Sequence, residues 1–167
     1  VRPGSYSVRV TLPDGYVFTA GAPLESARDG EGTTAPVQVN AGAAVDALEC
    51  GALIMGSVSG VVWDDADYDG LCGEDADGVR GAVVELLNAD GNAVQTQTTL
   101  RTGAFAFEQL MPGSYSVRVT LPDGYVLTRT GDSAVASAGE RTGQTEAFVL
   151  AMGERRENVR VGGLEPA

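Results

Sequence analysis

A run of fifteen residues that occurs twice constrains this chain more than any other feature. Residues 3–17 and residues 112–126 both read PGSYSVRVTLPDGYV. Chance does not produce identity over that length, so it marks duplication, and a duplication within one chain means a tandem array. The likeness then fades without vanishing: Val37–Val39 answers Phe148–Leu150, and residues 50–53 answer residues 161–164. The offset is 109 residues in the identical run and 111 at the later matches, so one loop of the second copy holds two extra residues. A unit of about 110 residues is the size of a domain with its own core, not of a solenoid turn. Residues 55–167 hold one complete unit, and residues 1–54 correspond to the C-terminal half of a truncated one. Such a half lacks front strands. It is expected to expose Val8, Val10 and Val37 and to be less ordered, or to pair its edge with the full domain or with another chain.

Within the repeated run, Tyr115, Val117, Val119 and Leu121 alternate with Ser114, Ser116, Arg118 and Thr120. A period of two is that of a half-buried strand. Tyr6, Val8, Val10 and Leu12 repeat it, and a Pro-Asp-Gly turn follows in both copies. Further strands are expected at 56–63, 81–87, 93–100, 104–108, 125–129, 144–150 and 158–164, with a hairpin turn at 88–91. Seven or eight short strands to a unit, and no sustained helical periodicity, predict an all-β, immunoglobulin-like sandwich.

Composition excludes several chemistries. The chain has no His, and all 11 basic residues are Arg. A Ser-His-Asp triad, a His-ligated zinc and a Schiff-base lysine are therefore ruled out. A net charge of −12 makes nucleic acid an unfavourable partner and favours cations. No apolar run approaches the ~20 residues of a membrane helix. The chain opens on Val-Arg-Pro-Gly, with neither Met nor a signal-peptide pattern, and reads as an internal stretch of a longer protein. Cys50 and Cys72 are too few for a disulfide framework and read as two unpaired thiols.

The chemically loaded stretch is residues 63–77, which holds seven of the 23 carboxylates. Asp65, Asp67 and Asp69 stand at positions 1, 3 and 5 of a calcium loop, Gly70 at the sharp turn, and Leu71 where a backbone carbonyl is offered. Alternating carboxylates on a tight loop converge on one point, which suits a hard cation. Position 12, which should be a bidentate Glu, is Ala76; Glu74, Asp75 or Asp77 could substitute if the loop bends differently. The alternative is a solvated acidic turn with no specific ion. The flanking segments are strand-like, which argues against a helical EF-hand or dockerin setting.

These residues carry a family resemblance. Residues 59–65 (SGVVWDD), 67–70 (DYDG), 78–86 (GVRGAVVEL), 102–110 (TGAFAFEQL), 112–115 (PGSY) and 122–125 (PDGY) follow in the order of the B repeat of serine-aspartate repeat surface proteins, the SdrD B-like family. That family is related to the Cna-B repeats of collagen adhesins. The chain resembles it over nearly all of 57–164 and the matching part of 1–54. The resemblance implies a Cna-B-type β-sandwich that binds calcium and acts as a non-catalytic stalk segment at a bacterial cell surface, in the cell wall, or in a secreted protein. It places calcium on Asp65, Asp67 and Asp69, and extends the set to Asp75 and Asp77. It makes neighbouring repeats of the same chain the first partners. Many Cna-B relatives carry a Lys–Asn isopeptide bond, which a chain without Lys cannot form.

A binding module for a glycan or a host protein is the second reading, with Trp63, Tyr68, Tyr16 and Tyr125 as its aromatic candidates. Of these, Trp63 is expected to pack against the loop, Tyr16 and Tyr125 to be core or corner residues, and Tyr68 to be exposed. An enzyme is the third: paired carboxylates hydrolyse glycosides, but a D-x-D-x-D-G pattern is better explained by metal ligation.

Overall fold

The alternation read along the chain becomes strands throughout, with no helix among the described residues. The computed structural model describes residues 1–46 and 48–166, and of these all side chains but those of Ser137 and Ala138. No helix is long and apolar enough to cross a membrane. The chain forms two compact units, Val1–Met55 and Gly56–Ala167.

The first unit contains β1 (Gly4–Tyr6), β2 (Arg9–Thr11), β3 (Tyr16–Phe18), β4 (Leu24–Arg28), β5 (Glu31–Thr34), β6 (Val37–Val39) and β7 (Ala52–Ile54). They pair as three small antiparallel sheets: β1 with β6, β2-β5-β4, and β3 with β7. Val8 is exposed, and Val10 and Val37 are half-buried.

The second unit contains β8 (Gly56–Asp64), β9 (Val83–Asn88), β10 (Ala93–Thr98), β11 (Ala104–Leu110), β12 (Gly113–Thr120), β13 (Val126–Leu127), β14 (Val135–Ala138), β15 (Thr142–Thr145), β16 (Phe148–Leu150) and β17 (Arg155–Leu164). One sheet runs β10-β9-β12-β15-β14, with β16 also on β12; the other runs β11-β8-β17-β13. Val84, Leu86, Val117 and Val119 of the first sheet meet Val58, Val62, Phe105, Phe107 and Val161 of the second in one core. This is the all-β, immunoglobulin-like sandwich. β17 closes its sheet by running parallel to β8, from Arg155 beside Ser57 to Gly163 beside Asp64.

Among the described residues of this unit, ten strands replace the seven or eight expected. The stretch 144–150 is two strands, because β15 and β16 pair with different parts of β12 and Glu146 and Ala147 are exposed between them. The stretch 125–129 keeps only Val126–Leu127. β14, with its small residues, carried no readable alternation.

Pairing also locates the two-residue difference between the copies. Tyr6↔Val37, Arg9↔Thr33 and Val17↔Leu53 in the first unit match Tyr115↔Phe148, Arg118↔Gln144 and Val126↔Leu164 in the second. Five residues join β3 to β4, and seven (128–134) join β13 to β14.

On the outer face of the β9–β12 pair, the Arg118 Nε–H donates to Glu85 Oε2 at 2.7 Å. That bond, more than the charge of Arg118, holds the Glu85 carboxyl below its usual range against the opposing effect of burial. A lowered acid pKa adds stability above the unfolded value of 4.5 and loses it as the pH falls through the folded value. Glu85→Gln should therefore lower stability by about 0.5 kcal/mol at pH 7, the pair being partly exposed. The difference from the parent should shrink on acidification and disappear once Glu85 is protonated. Urea melts at a series of pH values check this; a pH-independent difference would mean that packing, not charge, is lost.

Candidate metal centre

The acidic loop leaves β8 at Asp64 and is tied at its base. The Asp64 N–H donates to the Asp77 carbonyl at 2.7 Å, the Val79 N–H donates to the Val62 carbonyl at 2.9 Å, and Trp63 bridges Gly78. Thirteen residues, 65–77, thus project from a closed neck.

Asp65 is the fixed point. Its N–H donates to the Gly163 carbonyl on β17 at 2.8 Å. Its carboxylate is buried and accepts twice: Oδ1 from the Gly70 N–H at 3.1 Å and Oδ2 from the Thr128 hydroxyl at 2.8 Å. The first of these bonds folds the loop back on itself, so that Asp67 and Asp69 follow on the exposed side. Gly70 suits this position on two counts. Its φ is 76°, and a Cβ there would approach the Thr130 hydroxyl to 3.0 Å. One carboxylate oxygen each from Asp65, Asp67 and Asp69 lies within 4.8 Å of the others. Oxygens sharing one metal ion at about 2.4 Å can be no more than about 5 Å apart, so the three are close enough to hold one ion together.

The remaining carboxylates lie beside this point. Asp64, Asp67, Asp69, Glu74, Asp75 and Asp77 line an open hollow of about 540 Å³. Asp67 and Asp69 belong to both groups, whereas Asp75 and Asp77 lie only on the hollow, with Ala76 between them. The Leu71 side chain is exposed and its carbonyl accepts from the Gly73 N–H at 3.1 Å, one lone pair remaining free. Burial pushes the Asp64 carboxyl above its usual range; Glu165, Asp77 and Asp65 push the same way, against the Tyr125 hydroxyl, which donates to Asp64 Oδ2 at 3.3 Å.

A second loop holds the first from behind, and sequence reading missed it. In residues 128–134 the Asp132 N–H donates to the Gly70 carbonyl at 2.9 Å, and Asp132 Oδ2 accepts from the Cys72 N–H at 3.1 Å and from Arg160 at 3.3 Å. A Cβ on Gly131 would lie 2.0 Å from the Gly70 oxygen. This is the loop with two extra residues, so the offset between copies was its one available signal. Both cysteines are free, and burial raises the Cys72 thiol pKa. Trp63 is fully buried, Tyr16 and Tyr125 are half-buried, and exposed Tyr68 donates its hydroxyl to the Glu165 carbonyl at 2.5 Å.

Residues 56–163 match the SdrD B-like domain family. The chain belongs to that family. Serine-aspartate repeat-containing protein D of Staphylococcus aureus strain Newman is 32% identical over 147 residues, covering 83% of this chain and 11% of that protein. Serine-aspartate repeat-containing protein F of Staphylococcus epidermidis strain ATCC 12228 / FDA PCI 1200 is 31% identical over 144 residues, covering 83% and 9%. The SdrD B-like chain thus spans about a tenth of the length of these relatives. Among solved structures, the Bacillus anthracis TIE protein aligns with 98% of this chain and 25% of its own, at 23% identity and a TM-score of 0.48. The minor pilin GBS52 of Streptococcus agalactiae aligns with 83% of this chain and 65% of its own, at 13% identity and a TM-score of 0.45.

Proposed function

We propose that this chain is a non-catalytic stalk segment of a bacterial cell-surface or secreted adhesin-like protein, stiffened by calcium in the acidic loop. Its first partners are neighbouring repeats of the same chain. The observation that carries this reading is the convergence of Asp65, Asp67 and Asp69 within 4.8 Å on a loop closed at its neck. Three carboxylates so close repel one another unless a cation lies between them. Asp75 and Asp77 complete the acidic surround from the hollow. Membership of a family found in serine-aspartate repeat-containing proteins supports the surface setting. The aromatic residues do not favour a glycan- or host-protein-binding platform, since only Tyr68 among the four is exposed and its hydroxyl is taken.

The test is a thermal melt in millimolar calcium and in excess chelator. Extracellular calcium modules have a Kd of about 10⁻⁴–10⁻³ M. At ten times the Kd, binding adds ~1.4 kcal/mol, or ~6 °C for a domain of this size. A melting temperature that ignores calcium would leave a solvated acidic turn.

A further inference from the structure

The residues of β10 are turned against their polarity. Ala93 lies opposite Leu87, and unbroken pairing would then set Val94 opposite Leu86 and Thr96 opposite Val84. A bulge at Val94 instead sets Gln95 opposite Leu86 and Gln97 opposite Val84. Residues directly opposite one another share a face of the sheet, and the face of Val84 and Leu86 is the core face. Two half-buried glutamines therefore point inward, while Val94 is 48% exposed. Bulges re-aim side chains, and here the bulge gives up the burial of a valine to bring in two amides. Those amides reach the other sheet. β10 ends one sheet and β11 ends the other. The Gln95 Nε2–H donates to the Glu108 carbonyl at 2.8 Å, and the Ala106 N–H donates to Gln97 Oε1 at 2.9 Å. The backbone groups so engaged belong to the open edge of β11. Among the described residues β11 pairs with β8 alone. The Val62 N–H donates to the Gly103 carbonyl, so alternation turns Phe105 and Phe107 toward β8 and Ala104, Ala106 and Glu108 away from it. The Ala104 N–H in turn donates to the Thr102 hydroxyl at 3.4 Å. Three side chains thus occupy the outward backbone groups of one strand.

We propose that the open edge of β11 is a pairing surface for a second copy of this chain, and that Gln95 and Gln97 hold it closed. An unpaired edge templates pairing with another chain unless charge, proline, shortness or a cover prevents it. β11 is seven residues long, has neither Lys nor Pro, and exposes only small side chains at Ala104 and Ala106. Its one charged residue is Glu108. Two such edges are self-complementary. Turned antiparallel about Ala106, they set Ala106 opposite itself and Ala104 opposite Glu108, so that outward groups meet outward groups and no like charges face each other. A tandem array brings like edges together at high effective concentration. The two glutamines answer that hazard from within the same domain, by presenting a side-chain acceptor and a side-chain donor where a partner strand would present backbone. The proposal concerns the second unit alone and does not rest on the calcium reading.

The test compares the full chain with its Gln95→Met/Gln97→Met variant, by sedimentation equilibrium and amide hydrogen exchange. Methionine keeps the length of the side chain and puts apolar atoms on an apolar face. If the glutamines serve only to pack the seam, this variant should be as monomeric as the parent. If they guard the edge, exchange at the Ala106 amide in dilute solution should be about tenfold faster than in the parent. Self-association should then appear, with a Kd of about 1 mM or tighter, which at about 1 mM chain raises the weight-average mass roughly 1.5-fold over the parent. The Ala106 amide should regain its protection as the dimer forms. Gln97→Glu keeps an acceptor for the Ala106 N–H and should behave as the parent. Gln95→Ala/Gln97→Ala, read in the same way, keeps the test valid if the methionine variant does not fold. A variant no more associated than the parent overturns the proposal, as does added association that leaves Ala106 exchange independent of concentration. So does a parent whose Ala106 protection already rises with concentration, since the edge would then be open with both glutamines in place.

Discussion

Asp65→Ala is expected to lower the melting temperature of the second unit by about 10 °C even in excess chelator, and to abolish any rise with calcium. The carboxylate is buried and satisfies two donors, the Gly70 N–H and the Thr128 hydroxyl. Leaving buried donors without acceptors costs about 1–3 kcal/mol each. Part of that loss is offset by removing one of three crowded charges, so a net of about 2–3 kcal/mol remains, at ~4 °C per kcal/mol. Asp67→Ala separates the two roles of the cluster. Asp67 is exposed, so its loss should leave the chelator melt within about 2 °C of the parent and remove the calcium response. Scanning calorimetry of both variants with and without calcium decides. A calcium response that survives Asp67→Ala would mean that the three carboxylates do not form the site. A parent-like chelator melt for Asp65→Ala would mean that its two hydrogen bonds are not structural.

Trp63→Ala is expected to cost about 3–5 kcal/mol, the range for truncating a fully buried large aromatic residue. The ring is fully buried and packs on Gly162 of β17. A Cβ on Gly162 would come within 2.7 Å of the indole, so backbone and ring are in close contact there. The indole N–H has no hydrogen-bond partner among the described residues. Trp63→Phe should therefore cost less, about 1–2 kcal/mol, because the smaller ring leaves a cavity but removes a buried donor that lacks an acceptor. Circular dichroism follows both variants, since Trp63 is the sole Trp and its fluorescence is lost with it. Equal losses for Phe and Ala would show that ring volume is not what the site needs.

Much of this was legible along the chain. Alternation named β12, and the turn after it is the same in both copies, with the Tyr16 and Tyr125 N–H groups donating to the Pro13 and Pro122 carbonyls. So is the tyrosine contact four residues back, Tyr6 to the Arg2 carbonyl and Tyr115 to the Met111 carbonyl, each at 2.8 Å. These contacts need only a few consecutive residues. The D-x-D-x-D-G pattern likewise specified the residues that converge. Its spacing did not reveal that Asp65 alone would be buried, because Thr128 lies 63 residues away. Nor did it place Asp75 and Asp77 on the hollow beside the cluster rather than in the cluster, since that depends on how the neck at Asp77 and Val79 closes.

What the sequence determined by itself was the repeat, seen by comparing two fifteen-residue runs, and the strand period, the turns and the acidic pattern of the loop, each written within about fifteen consecutive residues. What only the tertiary structure decided is clearest where the sequence is the same. The same residues form one eight-residue strand where β9 lies along them and two short strands where no strand among the described residues does. A strand's edge donors and acceptors are satisfied only by a neighbour. Whether that neighbour is present is decided by the closure of the whole sandwich.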